Sequence, residues 1–282
     1  MAVLSVSVAA SGGAIGEKRK VRGFKTVRLA QASRIHASEL QNIRAFGSES
    51  ELAQVQVEVA RRQVLMRRDF ELTFENMFLG MVQGLAVDAD GSTLYDWATE
   101  FGQTIPAEID FDLDNATPAS GAVRKKCNAV VRSILQGLRG LGGASVRVVA
   151  LCGDAFWDDL TAHKEVRETY LNTQMAADLR QGNAYETFSY GGITFVNYRG
   201  TDDGSTVVIN TDKARFFPVG AGIFQWALSP GESFDFVNQL GQELYSAVIP
   251  DRDRNAWADV EMYSYPLPVC TMPQALHRAK RT

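Results

Sequence analysis

The stretch from Ser48 to Met81 constrains this chain more than any other. Leu52, Val55, Val59, Met66, Phe70, Phe74, Met77 and Met81 recur at spacings of three, four or seven residues, which places them on one face of an α-helix. Ser48 can cap the first turn while Glu51, three residues on, reaches back. A helix of about 33 residues spans about 50 Å, longer than a compact domain of this size uses. The spacing therefore predicts an elongated molecule. The opposite face carries Glu58, Arg61, Arg62, Arg67, Arg68, Asp69, Glu71 and Glu75, either a solvated surface or a dock for a basic segment.

Such a segment lies at the N-terminal end. Residues 1–44 hold eight basic side chains (Lys18, Arg19, Lys20, Arg22, Lys25, Arg28, Arg34 and Arg44) against Glu17 and Glu39, a balance of +6, so the rest of the chain carries −10 to reach the net −4. A basic segment on an acidic body suits a complementary surface, its own or a neighbour's. The total charge gives no case for a wholly basic nucleic-acid binder. Weak alternation of apolar and polar residues, with Gly12-Gly13 and Gly16 beside the basic cluster, predicts a long β-hairpin that buries too little to stand alone. The apolar start Met1-Ala-Val-Leu lacks a preceding positive region and is read as strand, not as a signal peptide.

Beyond Met81 the pattern becomes mixed. Gly84 to Asp96 predicts two short strands about an Asp90-Gly91 turn, and Ile109–Leu113 alternates as a strand. Thr117-Pro118 opens a second helix with Val123, Cys127, Val131, Ile134, Leu135 and Leu138 on its apolar face, ended by Gly140, Gly142 and Gly143. Val146–Cys152 reads as a buried strand, Ala155–Thr161 and Lys164–Gly182 as helix, Tyr185–Asn197 as a hairpin turning at Gly191-Gly192, and Ser205–Asn210 and Trp257–Ser264 as strands. With 282 residues, 45% of them apolar, the chain can bury one large core or two modest ones. No apolar run approaches the roughly 20 residues of a membrane-spanning helix. Two intimately joined lobes are expected.

Chemistry-bearing patterns are sparse. His36, His163 and His277 are isolated, and Cys127, Cys152 and Cys270 lack the spacing of a zinc site or disulfide framework, so they read as reduced core residues. Gly220-Ala-Gly222 lacks the third glycine of a dinucleotide loop, and the glycines of 137–143 follow a helix where a phosphate loop follows a strand. Asp154, Asp158 and Asp159 beside Trp157 read as helix-start charge. No catalytic residue, metal site or cofactor is expected.

The order of segments, a basic hairpin, a long helix, short strands, a helix and a mixed lobe, resembles the HK97-type capsid fold. Local strings narrow the resemblance to the lambda-like major capsid protein E family of tailed phages. They are Cys152-Gly153-Asp154-Ala-Phe156-Trp157 with His163 to Val166, Tyr190-Gly191-Gly192-Ile-Thr-Phe195, Asp212-Lys213-Ala214-Arg215 with Phe217-Pro218-Val-Gly220, Phe236-Val-Asn238 with Leu240-Gly241, and Pro266-Leu267-Pro268-Val-Cys270. Each alone is weak, and their order makes the match specific over residues 1 to about 275. Two departures stand out. The match begins inside the hairpin, without the N-terminal arm that the family usually has, and Tyr265 stands where the family often has Asn.

The resemblance implies an α+β fold, with residues 1–44 as the extended loop, 45–144 as the peripheral domain with its spine helix, 145–248 as the axial domain and 249–282 returning to the peripheral domain. It implies a non-enzymatic subunit that assembles with itself as hexamers and pentamers into an icosahedral shell around double-stranded DNA, contacted non-specifically. Decoration, scaffold and portal proteins are the further partners. It places the protein in the virion, and in the host cytoplasm during assembly. Lys18, Arg19, Lys20, Arg22, Lys25 and Arg28 would then meet Glu58, Asp69, Glu71 and Glu75 of an adjacent copy. Covalent cross-linking is left open by the sequence. The competing readings are an encapsulin-like nanocompartment shell, a small-molecule hydrolase using the acidic cluster near Trp157, and a DNA-binding module using residues 17–28.

Overall fold

The computed structural model describes residues 3–8, 20–40, 51–115, 117–171, 187–201 and 208–282. In chain order the strands are β1 (Val3–Val8), β2 (Lys20–Lys25), β3 (Leu29–His36), β4 (Leu85–Val87), β5 (Thr93–Asp96), β6 (Ile109–Asp110), β7 (Arg147–Cys152), β8 (Thr187–Tyr190), β9 (Ile193–Asn197), β10 (Lys213–Val219), β11 (Phe224–Leu228), β12 (Tyr245–Pro250), β13 (Trp257–Ser264), β14 (Pro266–Cys270) and β15 (His277–Lys280). The helices are α1 (Ala37–Leu40), α2 (Glu51–Val82), α3 (Trp97–Phe101), α4 (Ala122–Gly137), α5 (Asp154–Ala162) and α6 (Lys164–Leu171). The chain forms two compact units, one from Met1–Glu75, Asp88–Asp90 and Trp226–Pro268, the other from Asn76–Val87, Gly91–Gln225 and Val269–Thr282.

In the first unit β1 and β2 form an antiparallel ribbon, with Val3 opposite Lys25 and Val8 opposite Lys20. The ribbon's pairing ends there. β3, read from sequence as part of the same hairpin, instead joins a three-stranded sheet in the order β12-β13-β3. It runs antiparallel to β13 over its full length, from Leu29 opposite Ser264 to His36 opposite Trp257. Leu29 and Ile35 are buried while Ala30, Ala32, Arg34 and His36 are exposed, the period-two pattern of a sheet with one packed face. α2 follows the predicted stripe. Met66, Phe70, Phe74, Met77 and Met81 are buried, and Phe74 meets the Trp226 ring edge-on at 5.4 Å.

The second unit is organised on a six-stranded sheet in the order β6-β15-β10-β7-β9-β8. β7 and β9 are parallel, so a crossover must join them, whereas β7 and β10 are antiparallel. The core-facing residues of the central strands, Val148, Ala150, Cys152, Ile193, Phe195, Ala214 and Phe216, are buried together with Phe156 and Leu160 of α5 and Val123, Cys127, Val130 and Ile134 of α4. Phe111, Phe156, Phe216, Phe195 and Phe188 form a continuous chain of ring contacts with centroids 5.3–6.1 Å apart, spacings at which aromatic pairs attract beyond simple burial.

Several sequence expectations are corrected. α4 begins at Ala122 behind Gly121, not at Thr117-Pro118, because Gly121 takes a left-handed turn at φ 76. On its apolar face Val130 is buried, Val131 only half-buried, and Leu135 is 47% exposed. The strand read over Ile109–Leu113 shrinks to β6, because Asp112 turns out at φ 49 while its N–H donates to the Asp110 carboxylate. Residues 208–210, within the strand read over Ser205–Asn210, are irregular. The hairpins about Asp90-Gly91 and Gly191-Gly192 and the strand Trp257–Ser264 form as read. Ser48, Arg44, and residues 172–182 of the helix read over Lys164–Gly182 lie outside the described residues.

Candidate assembly interface

The residues expected at the interface divide into a basic set on the ribbon and an acidic set on α2, and both belong to the first unit. Lys18 and Arg19 lie outside the described residues, and Lys20 opens β2. Arg22 and Lys25 are exposed on β2 while Phe24 between them is buried. Arg28 sits just beyond the ribbon. Its Nε donates to Glu232 Oε2 at 3.1 Å, and its guanidinium carbon is 5.2 Å from the centroid of the Tyr263 ring. A hydrogen bond with Tyr265, supported by the charge of Glu232, outweighs the desolvation of the guanidinium and raises its pKa. Arg28 is thus committed to its own chain and pins the ribbon's base to the strand pair behind it.

The acidic set is also partly committed. Glu58 accepts from Arg62 Nε at 2.7 Å and Arg61 Nη1 at 3.3 Å, and the Arg62 hydrogen bond holds its carboxyl below the usual range. Arg62 reaches on to Ser33 Oγ at 2.8 Å and Glu39 at 3.4 Å. Asp69 accepts from Gln31 Nε2 at 2.9 Å, and Gln63 donates to Ser246 Oγ at 2.9 Å. These bonds tie α2 to β3 and β12, so much of the charged face that reads as solvated holds the protein's own sheet. Glu71 pairs with Arg67 at 3.0 Å, both well exposed, and Glu75 is exposed. Glu71 is therefore an expected acid whose ion pair stays on α2 itself, and Glu75 is exposed one turn further on.

The acidic cluster near Trp157 is dispersed. Asp159 accepts from Arg281 Nη1 at 2.7 Å, Asp154 sits in the first turn of α5, and Trp157 packs edge-on against Phe188. No group of three or more His, Cys, Asp or Glu that could hold a metal occurs among the described residues. His277 is buried with Nε2 2.7 Å from Ser133 Oγ, and His163 Nδ1 accepts from the N–H of Glu165. Burial pushes the Cys127 and Cys270 thiols up to about 12 and the Cys152 thiol higher still. Three buried thiols held protonated pack as small apolar side chains.

Two exposed apolar features were not legible as sites. One is an outer stripe on α2: Val57, Val64, Leu65 and Leu72 are 70%, 69%, 49% and 37% exposed. Its signal was the seven-residue spacing of 57 to 64 and 65 to 72, masked by the stronger Met and Phe stripe opposite. The other is the loop after β11, where Phe234, Val237 and Leu240 are 97%, 56% and 92% exposed.

The first unit thus combines a short two-stranded ribbon, the 32-residue helix and exposed apolar side chains. The model for the family "Phage major capsid protein E" matches residues 9–281. The chain belongs to that family. The major capsid protein of Salmonella phage Felix O1 (isolate Felix O1-VT1) is 28% identical over 290 residues, spanning 92% of this chain and 78% of that one. A crystal structure assigned as the capsid protein of a prophage of E. coli CFT073 superposes with a TM-score of 0.58 at 17% identity, over 94% of this chain and 80% of that one. The capsid of Myoviridae phage XM1 gives 0.50 at 11% identity, over 100% and 84%. These likenesses fix the fold of this phage major capsid protein as HK97-type, and the family is a structural one.

Proposed function

We propose that this major capsid protein closes with sister copies, as hexamers and pentamers, into an icosahedral head shell around double-stranded DNA. The observation that carries the reading is the β1-β2 ribbon, whose strands form a two-stranded sheet of their own. Two strands alone are marginal in water. The β1-β2 ribbon acts as an extended loop laid across an adjacent copy, while β3 stays in the sheet of its own chain. Lys18, Arg19, Lys20, Arg22 and Lys25 meet the outward acids of its α2, chiefly Glu71 and Glu75, setting register and association rate more than affinity. Arg28, Glu58 and Asp69 act at the same place by holding the ribbon base and the sheet that present those charges. Affinity comes from apolar burial repeated over many weak contacts. In this reading the first unit serves as the peripheral domain and the second, which takes in α4, β6 and β15 beside most of residues 145–248, as the axial domain. The protein acts in the virion, and in the host cytoplasm while scaffold, portal and decoration proteins join it, without catalysis of its own.

The test replaces Lys18, Arg19 and Lys20 together by Glu. Particles seen by electron microscopy for the wild type should be lost from the variant while circular dichroism shows a folded monomer. Normal particle yield from the variant overturns the docking of the ribbon. A wild-type protein that stays monomeric at high concentration overturns the shell.

A further inference from the structure

Phe234 and Leu240 are almost wholly exposed, yet the loop that carries them is braced from within. The Phe236 ring lies 4.6 Å from the Tyr245 ring. The Tyr245 hydroxyl donates to the Ser229 carbonyl at 3.2 Å and accepts from the N–H of Gln242 at 2.8 Å. Gln239 Nε2 donates to the Asp235 carbonyl at 2.7 Å, and Asn238 turns the chain at φ 61. Phe236 thus points in while Phe234, Val237 and Leu240 point out. Single exposed apolar residues are ordinary, but three within seven residues on a braced loop make a contact patch.

The same unit carries a surface of matching chemistry. At 3.6 residues per turn, Val57, Val64, Leu65 and Leu72 fall within an arc of about 100°, on the side of α2 away from Met66 and Phe70. Arg61 and Arg68 lie inside that arc along the length of the stripe, with Glu71 at its border and Glu75 one turn beyond its end. Arg61 is held by Glu58, whereas Arg68 is exposed and makes no ion pair among the described residues. The loop has the opposite sign. Between Ala227 and Pro250 the chain contains Glu232, Asp235 and Glu243 and no Lys or Arg. Glu232 is taken by Arg28, and Asp235 is exposed with no ion pair among the described residues. Loop against loop would bring acids together, while on the stripe Arg68 offers Asp235 a base, its neighbour Glu71 being paired with Arg67.

We infer that the loop 231–241 of one copy seats Phe234, Val237 and Leu240 on the outer stripe of α2 of a second copy, with Asp235 beside Arg68. Two different patches of one chain meeting head to tail form a heterologous contact, which repeats around rings of subunits. This contact rests on the shell reading; its test does not depend on the basic ribbon, which in that reading reaches the C-terminal end of the same face at Glu71 and Glu75.

Charge exchange tests it. Asp235→Arg and Arg68→Asp should each cut particle yield at least about tenfold, and the two combined in one chain should restore it. In parallel, Phe234→Cys and Leu65→Cys, made in differently tagged chains and co-assembled, should give an oxidation-dependent heterodimer, since the native thiols are buried. Full yield from either single reversal, no rescue in the double variant, or no heterodimer overturns the contact while wild-type particles leave the shell standing. Absence of wild-type particles overturns both.

Discussion

Arg34 grips Asp259 with both arms of its guanidinium: Nε donates to Oδ1 and Nη2 to Oδ2, each at 2.7 Å. The two residues are directly opposite on β3 and β13, 225 positions apart, and the guanidinium also lies 4.0 Å from the centroid of the Trp257 ring. Lysine offers one point charge where arginine offers a planar fork and a stacking surface. Arg34→Lys should therefore lower the thermal midpoint of the folded monomer even though the charge is kept. The hydrogen bond from Arg34 lowers the Asp259 pKa below 3.8, so the pair's contribution is complete above the unfolded value and disappears as pH falls through the folded one. Arg34→Lys and wild type should then converge in stability at strongly acid pH. Equal midpoints near neutral pH would show that the fork contributes nothing.

The start of α4 depends on a residue 42 positions away. Gly121 offers no side-chain cap, and the Glu165 carboxylate instead accepts from the N–H groups of Val123 and Arg124 at 3.1 and 3.2 Å, and from the Tyr190 hydroxyl at 2.7 Å. One acid thus satisfies two orphan donors at a positive helix end and joins α4, α6 and β8. Glu165→Ala should destabilise by about 1–3 kcal/mol, the range for losing a cap and leaving its donors unmet. Denaturant unfolding measures it. A loss under about 0.5 kcal/mol, the level of an ordinary surface change, would contradict the capping role.

That distant cap explains why part of this fold was legible in the sequence and part was not. α2 could be read because its large apolar residues repeat at helical spacing within one segment, and the β4-β5 turn because Asp90-Gly91 sets its backbone locally. The start of α4 is not legible because Thr117-Pro118 imitates a local start signal while the actual cap comes from Glu165. β3 reads as part of the hairpin because its partner β13 lies more than 200 residues downstream, and alternation shows that a strand has a packed face without naming its neighbour. The same limit applied at the interface. The signs of the charges were readable, but Glu58 and Asp69 turn out to be held by Arg62 and Gln31, while the exposure of Phe234 and Leu240 is a property of the folded loop alone.

Gly191 gives a local test of the core. It adopts φ +59, and a Cβ there would stand 2.6 Å from Cys127 Cβ on α4. Gly191→Ala meets both a left-handed backbone cost of about 1–2 kcal/mol and a clash with a buried helix. Its loss of stability should exceed that of Gly102→Ala, which has the same kind of backbone, φ +61, but open space around it. If the two variants unfold at the same denaturant concentration, the β8-β9 turn does not press on α4.

His277 should make the second unit sensitive to mild acid. Burial lowers its pKa from 6.5. Above that value both the folded and the unfolded chain carry a neutral imidazole. Below it the unfolded chain takes up a proton that the folded chain refuses, so stability falls as pH drops from about 6.5. His277→Gln, which keeps a polar group near Ser133, should flatten the dependence of the thermal midpoint between about pH 6.5 and 5. An unchanged slope would show that another group carries it.

The acids of α2 can be separated by where they fail. Glu58 is held by Arg61 and Arg62, and Arg62 in turn holds Ser33 of β3, so Glu58→Gln frees a guanidinium that positions the sheet. Among the described residues Glu71 meets only Arg67 one turn earlier, with both side chains more than half exposed, and such pairs contribute about 0.3–0.5 kcal/mol. Glu58→Gln should lower monomer stability measurably. Glu71→Lys should leave the monomer within about 0.5 kcal/mol of wild type while reducing particle yield, because it reverses the charge offered to a neighbour's ribbon. If Glu71→Lys assembles normally, and if Glu75→Lys does too, the ribbon does not dock on this face of α2. If Glu58→Gln leaves the unfolding midpoint unchanged, the Arg62 bridge does not hold β3 in place.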